Sequence, residues 1–321
     1  MTETQVGQRR RLFPNTPDTQ FYYPASAHEV VLARMLQAIA DAEGFLVLSG
    51  EPGIGKTLLC HVLIERLGPE IDCALLTNSH FGNRAALLQG ILFEFSLPYE
   101  GKGEQELRLG LTEFLLNNYA ANRRTLLIID EAQNLNADLL EELRLLGNLE
   151  AHGGKAVQII IVGQPSLLDN LAHPESASLR QRVACLLMLD ALGLEEAADY
   201  LHHHVRVAGS RPQAFFTDEA LSLVAQGSKG IPRLLNQIAH QALLLAQQAE
   251  SMPVDVEAAL EALTQLGLEV PEMEKTDEEP RFSGLEPISM TGLDYEAPPD
   301  TDNPVEQPTR SARLIRQSVM S

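Results

Sequence analysis

Residues 44–59 read GFLVLSGEPGIGKTLL: a short apolar run, a glycine-bearing turn that ends in Gly-Lys-Thr, and the start of a helical pattern. Strand, G-x-x-x-x-G-K-T and helix in that order are the context a phosphate-binding loop requires. Gly50, Gly53 and Gly55 admit backbone turns that other residues resist. The stretch through Glu51, Pro52, Gly53, Ile54, Gly55, Lys56, Thr57 and Leu58 can therefore turn its amides onto phosphate oxygens, and the helix that follows adds its positive end. Lys56 suits the β and γ phosphates as a point charge, and the Thr57 hydroxyl suits a magnesium ion. ATP with Mg2+ is the cofactor pair these residues imply.

Further along, TLLIIDEAQ (125–133) is a buried strand pattern that ends in two adjacent carboxylates. In a parallel sheet both emerge at the carboxyl edge, where the phosphate loop also sits. Asp130 reads as a magnesium ligand acting through water. Glu131 follows as the chain leaves the strand, so it need not share the metal and reads as the base that activates the attacking water. IIIVGQPSLL (159–168) is the next strand, and Gln164 at its end is placed to contact the γ phosphate or orient water. In SASLRQRVACLLML (176–189), Arg180 and Arg182 precede the last strand, where an arginine can reach the site of a neighbouring subunit. Arg233 opens a helix after a Gly-Ile-Pro turn and can face the γ phosphate. Gln133 invites a helicase reading, but that needs a second domain for which the chain has no room. His202, His203 and His204 are consecutive on one helix and do not converge on a metal.

Short apolar runs at 45–48, 73–77, 126–130, 158–162 and 183–189 alternate with helical patterns at 28–41, 57–67, 84–95, 104–120 and 137–150. Alternation of this kind predicts a parallel sheet built from βα units, its strands covered on both faces. From Leu194 to Leu266 the pattern is helical only. The expected architecture is a three-layer αβα sheet domain over 26–190 after an N-terminal segment 1–25. A small all-α lid domain over 191–268 and an acidic tail over 269–321 follow.

The 321 residues are 45% hydrophobic and 21% charged, enough for a sizeable core. Residues 251–321 hold fifteen Asp and Glu against five Lys and Arg, half of the net charge of −20. Acidic, Pro-rich and aperiodic, 271–308 reads as a disordered tail, and 310–321, RSARLIRQSVMS, as a solvated basic end. Cys60, Cys73 and Cys185 lie apart in apolar segments and read as core residues. No apolar run approaches a membrane span and no signal peptide opens the chain, so a cytoplasmic location is expected.

Together the opening FPNTPDTQFYYPASAHE (13–29), GEPGIGKT, LLIIDEAQNL, VGQPSL, LRQRV and GIPRLLNQIAHQALLLA resemble the ExeA/GspA family. These are AAA+ ATPases of bacterial general secretion, within the ORC-like and transposition ATPases, and the resemblance covers 12–266. It implies a AAA+ P-loop fold and ATP hydrolysis, with Gln164 as sensor 1, Arg233 as sensor 2 and Arg182 or Arg180 as a trans-acting finger. It also places Tyr23 and Pro24 in the adenine pocket. The implied partners are further copies of the chain, in a ring or filament, and a protein of secretion or envelope machinery able to hold the chain at the inner membrane. The alternative is a DNA-binding ATPase that regulates transposition or replication. A domain without an evident basic stripe disfavours that reading, although Arg123 and Arg124 supply a local basic pair.

Overall fold

The computed structural model describes residues 12–14, 16–151, 153–211 and 214–271, all within the compact unit Met1–Glu272. The acidic tail beyond 271 and the basic end lie outside the described residues. Among the described residues seven strands run in chain order as β1 Phe45–Gly50, β2 Ile71–Leu76, β3 Arg124–Ile129, β4 Glu150–Ala151, β5 Gly154–Lys155, β6 Gln158–Gly163 and β7 Val183–Leu189. Five of them form a parallel sheet in the order β2-β3-β6-β1-β7, while β4 and β5 make a separate antiparallel pair. Phe45 pairs with Ile159 and Leu126 with Gln158, so β1, β6 and β3 end nearly level at one edge.

β1 and β6 are buried along their whole length, as their unbroken apolar runs require. Ile159, Ile160, Ile161 and Val162 are fully covered, and each contributes about 1.5–3 kcal/mol of burial. On one face lie helices α1 Ser26–Ala40 and α2 Lys56–Arg66; on the other lie α3 Arg84–Glu94, α4 Glu104–Ala120 and α5 Ala137–Leu146.

Three expectations are corrected. β7 is not covered on both faces: it is an edge strand whose exposure alternates, leaving Leu186 and Met188 open while Leu189 is buried. An apolar run therefore does not by itself tell a central strand from an edge strand. The fifth helix stops at Leu146 and not at 150: Gly147 is its C-cap and lies so close to the Phe45 ring that a Cβ there would stand 2.3 Å from it. The chain then forms the β4–β5 hairpin. Two short helices, α6 Ser166–Ala172 and α7 Ala177–Arg180, fill the stretch before β7 that had no expected element.

A second helical layer follows: α8 Leu194–Val207, α9 Asp218–Gly227, α10 Pro232–Gln248 and α11 Val256–Gln265. Its core holds Leu201, Val224, Ile238 and Leu263, and it takes in Phe13 and Ala25 from the N-terminal segment. Phe13 stacks on His204 at 5.8 Å and meets Phe216 edge-on at 6.1 Å. The opening segment thus packs onto the helical bundle, far from it in sequence. No helix among the described residues is long and apolar enough to cross a membrane.

Candidate functional site

β1 delivers the loop and α2 receives it. Gly53 and Gly55 have φ of +81° and +105°, values open to glycine at little cost, and Gly55 caps α2. A Cβ on Gly53 would lie 2.8 Å from that of Arg233, so its missing side chain lets α10 approach. The Arg233 amide also donates to the Gly53 carbonyl at 3.1 Å. Lys56 is buried and donates from Nζ to the carbonyls of Gly50 at 2.7 Å and Glu51 at 2.9 Å. An ammonium has three donors, so one remains for a ligand. Burial pushes the Lys56 pKa down, and the carboxylates of Glu131 and Asp130 oppose that shift.

β3 carries the carboxylates to the same edge. The Thr57 hydroxyl donates to Asp130 Oδ2, and the Ser79 hydroxyl donates to the Asp130 carbonyl. Burial raises the Asp130 pKa, against the hydrogen bonds from Thr57 and from the Glu131 amide, which reaches Oδ1 at 2.8 Å. A hydroxyl beside a buried carboxylate is an all-oxygen donor set with a charge to compensate, and it fits a hard divalent cation.

Glu131 has a left-handed backbone, φ +54° and ψ +33°. Gln133 Nε2 donates to Glu131 Oε2 at 2.6 Å, and Gln164 Nε2 donates to the same oxygen at 3.3 Å. Gln133 Oε1 in turn accepts from the Gln164 amide at 3.0 Å. The glutamine that hints at a helicase in the sequence is a clasp between the ends of β3 and β6. Pairing of that kind leaves no periodic trace in a sequence.

The cleft above the loop is lined by Lys56, Thr57 and Glu131 of the sheet domain, by Arg233, Tyr200 and His204 of the helical layer and by Phe21. The Tyr200 hydroxyl donates to Asn236 Oδ1 at 3.1 Å, and Asn236 Nδ2 donates to the Pro14 carbonyl at 3.3 Å. Tyr23 packs edge-on against Tyr200 at 6.1 Å and tilted against His203 at 5.7 Å, and does not line the cleft. Phe21, Tyr200, His204 and Asn236 escape sequence reading. The only signal for two of them is the four-residue spacing of Tyr200 and His204, one turn apart on α8. Arg180 ends α7 and Arg182 precedes β7; both are exposed and neither lines this cleft.

His204 is held between aromatic rings, 4.3 Å from Tyr200 and 5.1 Å from Phe21, and burial pushes its pKa down to about 4. The unfolded chain binds a proton there near pH 6.5, so stability is complete above that value and is lost as pH falls toward 4. Linkage gives a loss of about 2 kcal/mol between pH 7 and 5 from this residue. Denaturant unfolding at both pH values checks it. His204→Leu should show a pH difference smaller by that amount, and an unchanged difference would remove His204 as the cause.

Residues 39–171 match the AAA domain family. The chain is 36% identical over 235 residues to general secretion pathway protein A of Aeromonas hydrophila. That alignment takes in 73% of this chain, which spans only 43% of the relative's length. Among solved structures, the ORC2 protein of Aeropyrum pernix aligns with a TM-score of 0.62 at 17% identity, covering 80% of this chain and 72% of that one. Cdc6p of Pyrobaculum aerophilum aligns at 0.63 and 19% identity, covering 78% and 71%. With the phosphate loop, the carboxylate pair and this sheet order in place, these matches show that the chain has the AAA+ P-loop fold, carries an AAA domain over residues 39–171 and is similar over 73% of its length to general secretion pathway protein A.

Proposed function

We propose that the chain binds ATP with Mg2+ in the cleft between the loop and the helical layer, hydrolyses it, and uses the cycle to assemble with its own copies and act on a protein partner of secretion or envelope machinery. The observation that carries this reading is the convergence of Lys56, Thr57, Asp130, Glu131 and Arg233 at one sheet edge. The ORC2 structure, described with ADPNP and ADP, supports an adenine nucleotide as the occupant.

In this reading the loop amides and the third Lys56 donor hold the phosphates. Thr57, and Asp130 through water, would hold magnesium, which when bound would supply positive charge beside the phosphates. Glu131 keeps one carboxylate oxygen on the two glutamine amides and offers the other to water. Gln164 joins Glu131 to the γ-phosphate region, and Arg233 brings the lid onto the same group.

A protein partner is favoured over DNA by the state of the basic residues. Arg123 is paired with Asp72, and Arg124 donates to the Ile39 carbonyl at 3.1 Å. Arg66, Arg84, Arg108 and Arg144 are each paired with a carboxylate of this chain. A phosphate backbone would have to displace those partners.

Lys56→Ala tests the nucleotide reading. It removes the loop's own side-chain cation and should abolish tight ATP binding in calorimetric titration while the far-ultraviolet dichroism stays that of the parent. Unchanged affinity in the folded variant would overturn the assignment.

A further inference from the structure

His28 sits on the first turn of α1, 6% exposed, and its Nε2 lies 3.0 Å from the Ile54 carbonyl oxygen inside the phosphate loop. A carbonyl only accepts, so Nε2 carries the proton and Nδ1 is the bare nitrogen of the ring. Nδ1 is buried with no hydrogen-bond partner among the described residues. A charged ring would bury an unpaired N–H, and burial accordingly holds the His28 pKa below its ordinary value, against Ile54, Glu196 and Glu29. The ring is thus a neutral donor with one committed bond.

That bond has a geometric consequence. The peptide between Ile54 and Gly55 is planar and trans, so its C=O and N–H point in opposite directions. With the carbonyl drawn toward α1, the Gly55 N–H faces the other side. Gly55 is among the residues lining the cleft, and its own conformation, φ +105°, is one that sterics leave free to rotate. A Cβ at Gly55 would stand 3.3 Å from His28 Nε2, so the glycine makes the close approach possible. The helix that carries the ring is itself anchored. The Ser26 amide at the start of α1 donates to Glu196 Oε1 of α8 at 2.8 Å, which ties the helix bearing His28 to the helical layer.

We infer that His28 is a positioning residue for phosphate binding: its Nε2–H holds the Ile54 carbonyl so that the Gly55 N–H points at the phosphates of the nucleotide. This rests on the nucleotide reading above. The group recognised is the phosphate chain shared by ADP and ATP, whose inner phosphates such loop amides cradle. Loss of one oriented hydrogen bond to a charged group should weaken both ligands by about tenfold.

The test is a calorimetric titration of ADP and ATP into the full chain and into His28→Leu, His28→Asn and His28→Gln, with thermal melts of each. Leu fills the space without a donor, Asn is one methylene too short to reach Ile54, and Gln can place an N–H where Nε2 stands. We expect Leu and Asn to raise Kd for both nucleotides about tenfold, and Gln to return it to within about threefold, with melting temperatures that do not follow the same order. Should Leu fail to fold, the Asn and Gln pair carries the comparison. Equal affinity across the four proteins overturns the inference, as does a loss that tracks melting temperature and ignores the donor. A folded parent chain that binds neither nucleotide overturns the nucleotide reading itself, a result that Lys56→Ala would then share.

Discussion

Arg182→Ala is expected to bind ATP as the parent chain does and to hydrolyse it about a thousandfold or more slowly, the range for arginines supplied to a phosphoryl group from a neighbouring subunit. The expectation starts from where the residue sits. α7 is anchored by buried Leu179, and the Arg182 amide donates to the Leu179 carbonyl at 2.9 Å, so the turn is fixed while the guanidinium is exposed. Among the described residues Arg182 pairs with no carboxylate within salt-bridge distance and lines no part of its own cleft. Its charge does reach Glu150, whose carboxyl is held low by Lys155 first and by Arg182 only last. A guanidinium poised on the surface beside the edge strand acts on a phosphoryl group only when a second copy brings its cleft to it. Mixing makes the claim specific. Glu131→Gln protein keeps its arginine and Arg182→Ala protein keeps its base, so mixed assemblies should contain junctions in which both meet, and activity should reappear. If co-assembled mixtures stay silent at every ratio, Arg182 is not the finger, and Arg180, at the end of α7, takes its place in the same experiment.

Glu131→Gln should bind ATP normally and turn it over about 10²–10⁴-fold more slowly, the usual contribution of a positioned general base. The substitution is nearly isosteric, and the structure says what it keeps. Glu131 Oε2 accepts from Gln133 and Gln164, and an amide oxygen in its place accepts the same two bonds. The left-handed backbone, φ +54°, is no harder for Gln than for Glu. What disappears is the carboxylate oxygen offered to water. Single-turnover hydrolysis measured beside a binding titration separates the two effects. Near-parental turnover with intact binding would mean that another group activates the water.

Much of this site is readable from one sequence because its parts are local. The G-E-P-G-I-G-K-T loop, the strand before it and the first turn of the helix after it span sixteen consecutive residues, and their chemistry follows from residue type and backbone freedom alone. The same holds for Asp130 and Glu131 at the end of an apolar run, and for the alternation of strand and helix that fixes a parallel sheet. Tertiary structure decided what depends on neighbours distant in the chain. Strand order made β7 an edge and left Leu186 and Met188 bare, although its sequence is as apolar as that of the central strands. Packing brought Phe13, Phe21, Tyr200 and His204 into one aromatic wall, turned Gln133 into a clasp on Glu131, and set His28 under Ile54. Apart from Tyr200 and His204, one turn apart on α8, and Gln133 and Glu131, two residues apart, these are contacts between segments whose separation carries no period, so residue type and spacing are silent about them. Only the folded chain determines which side chain answers each buried polar group.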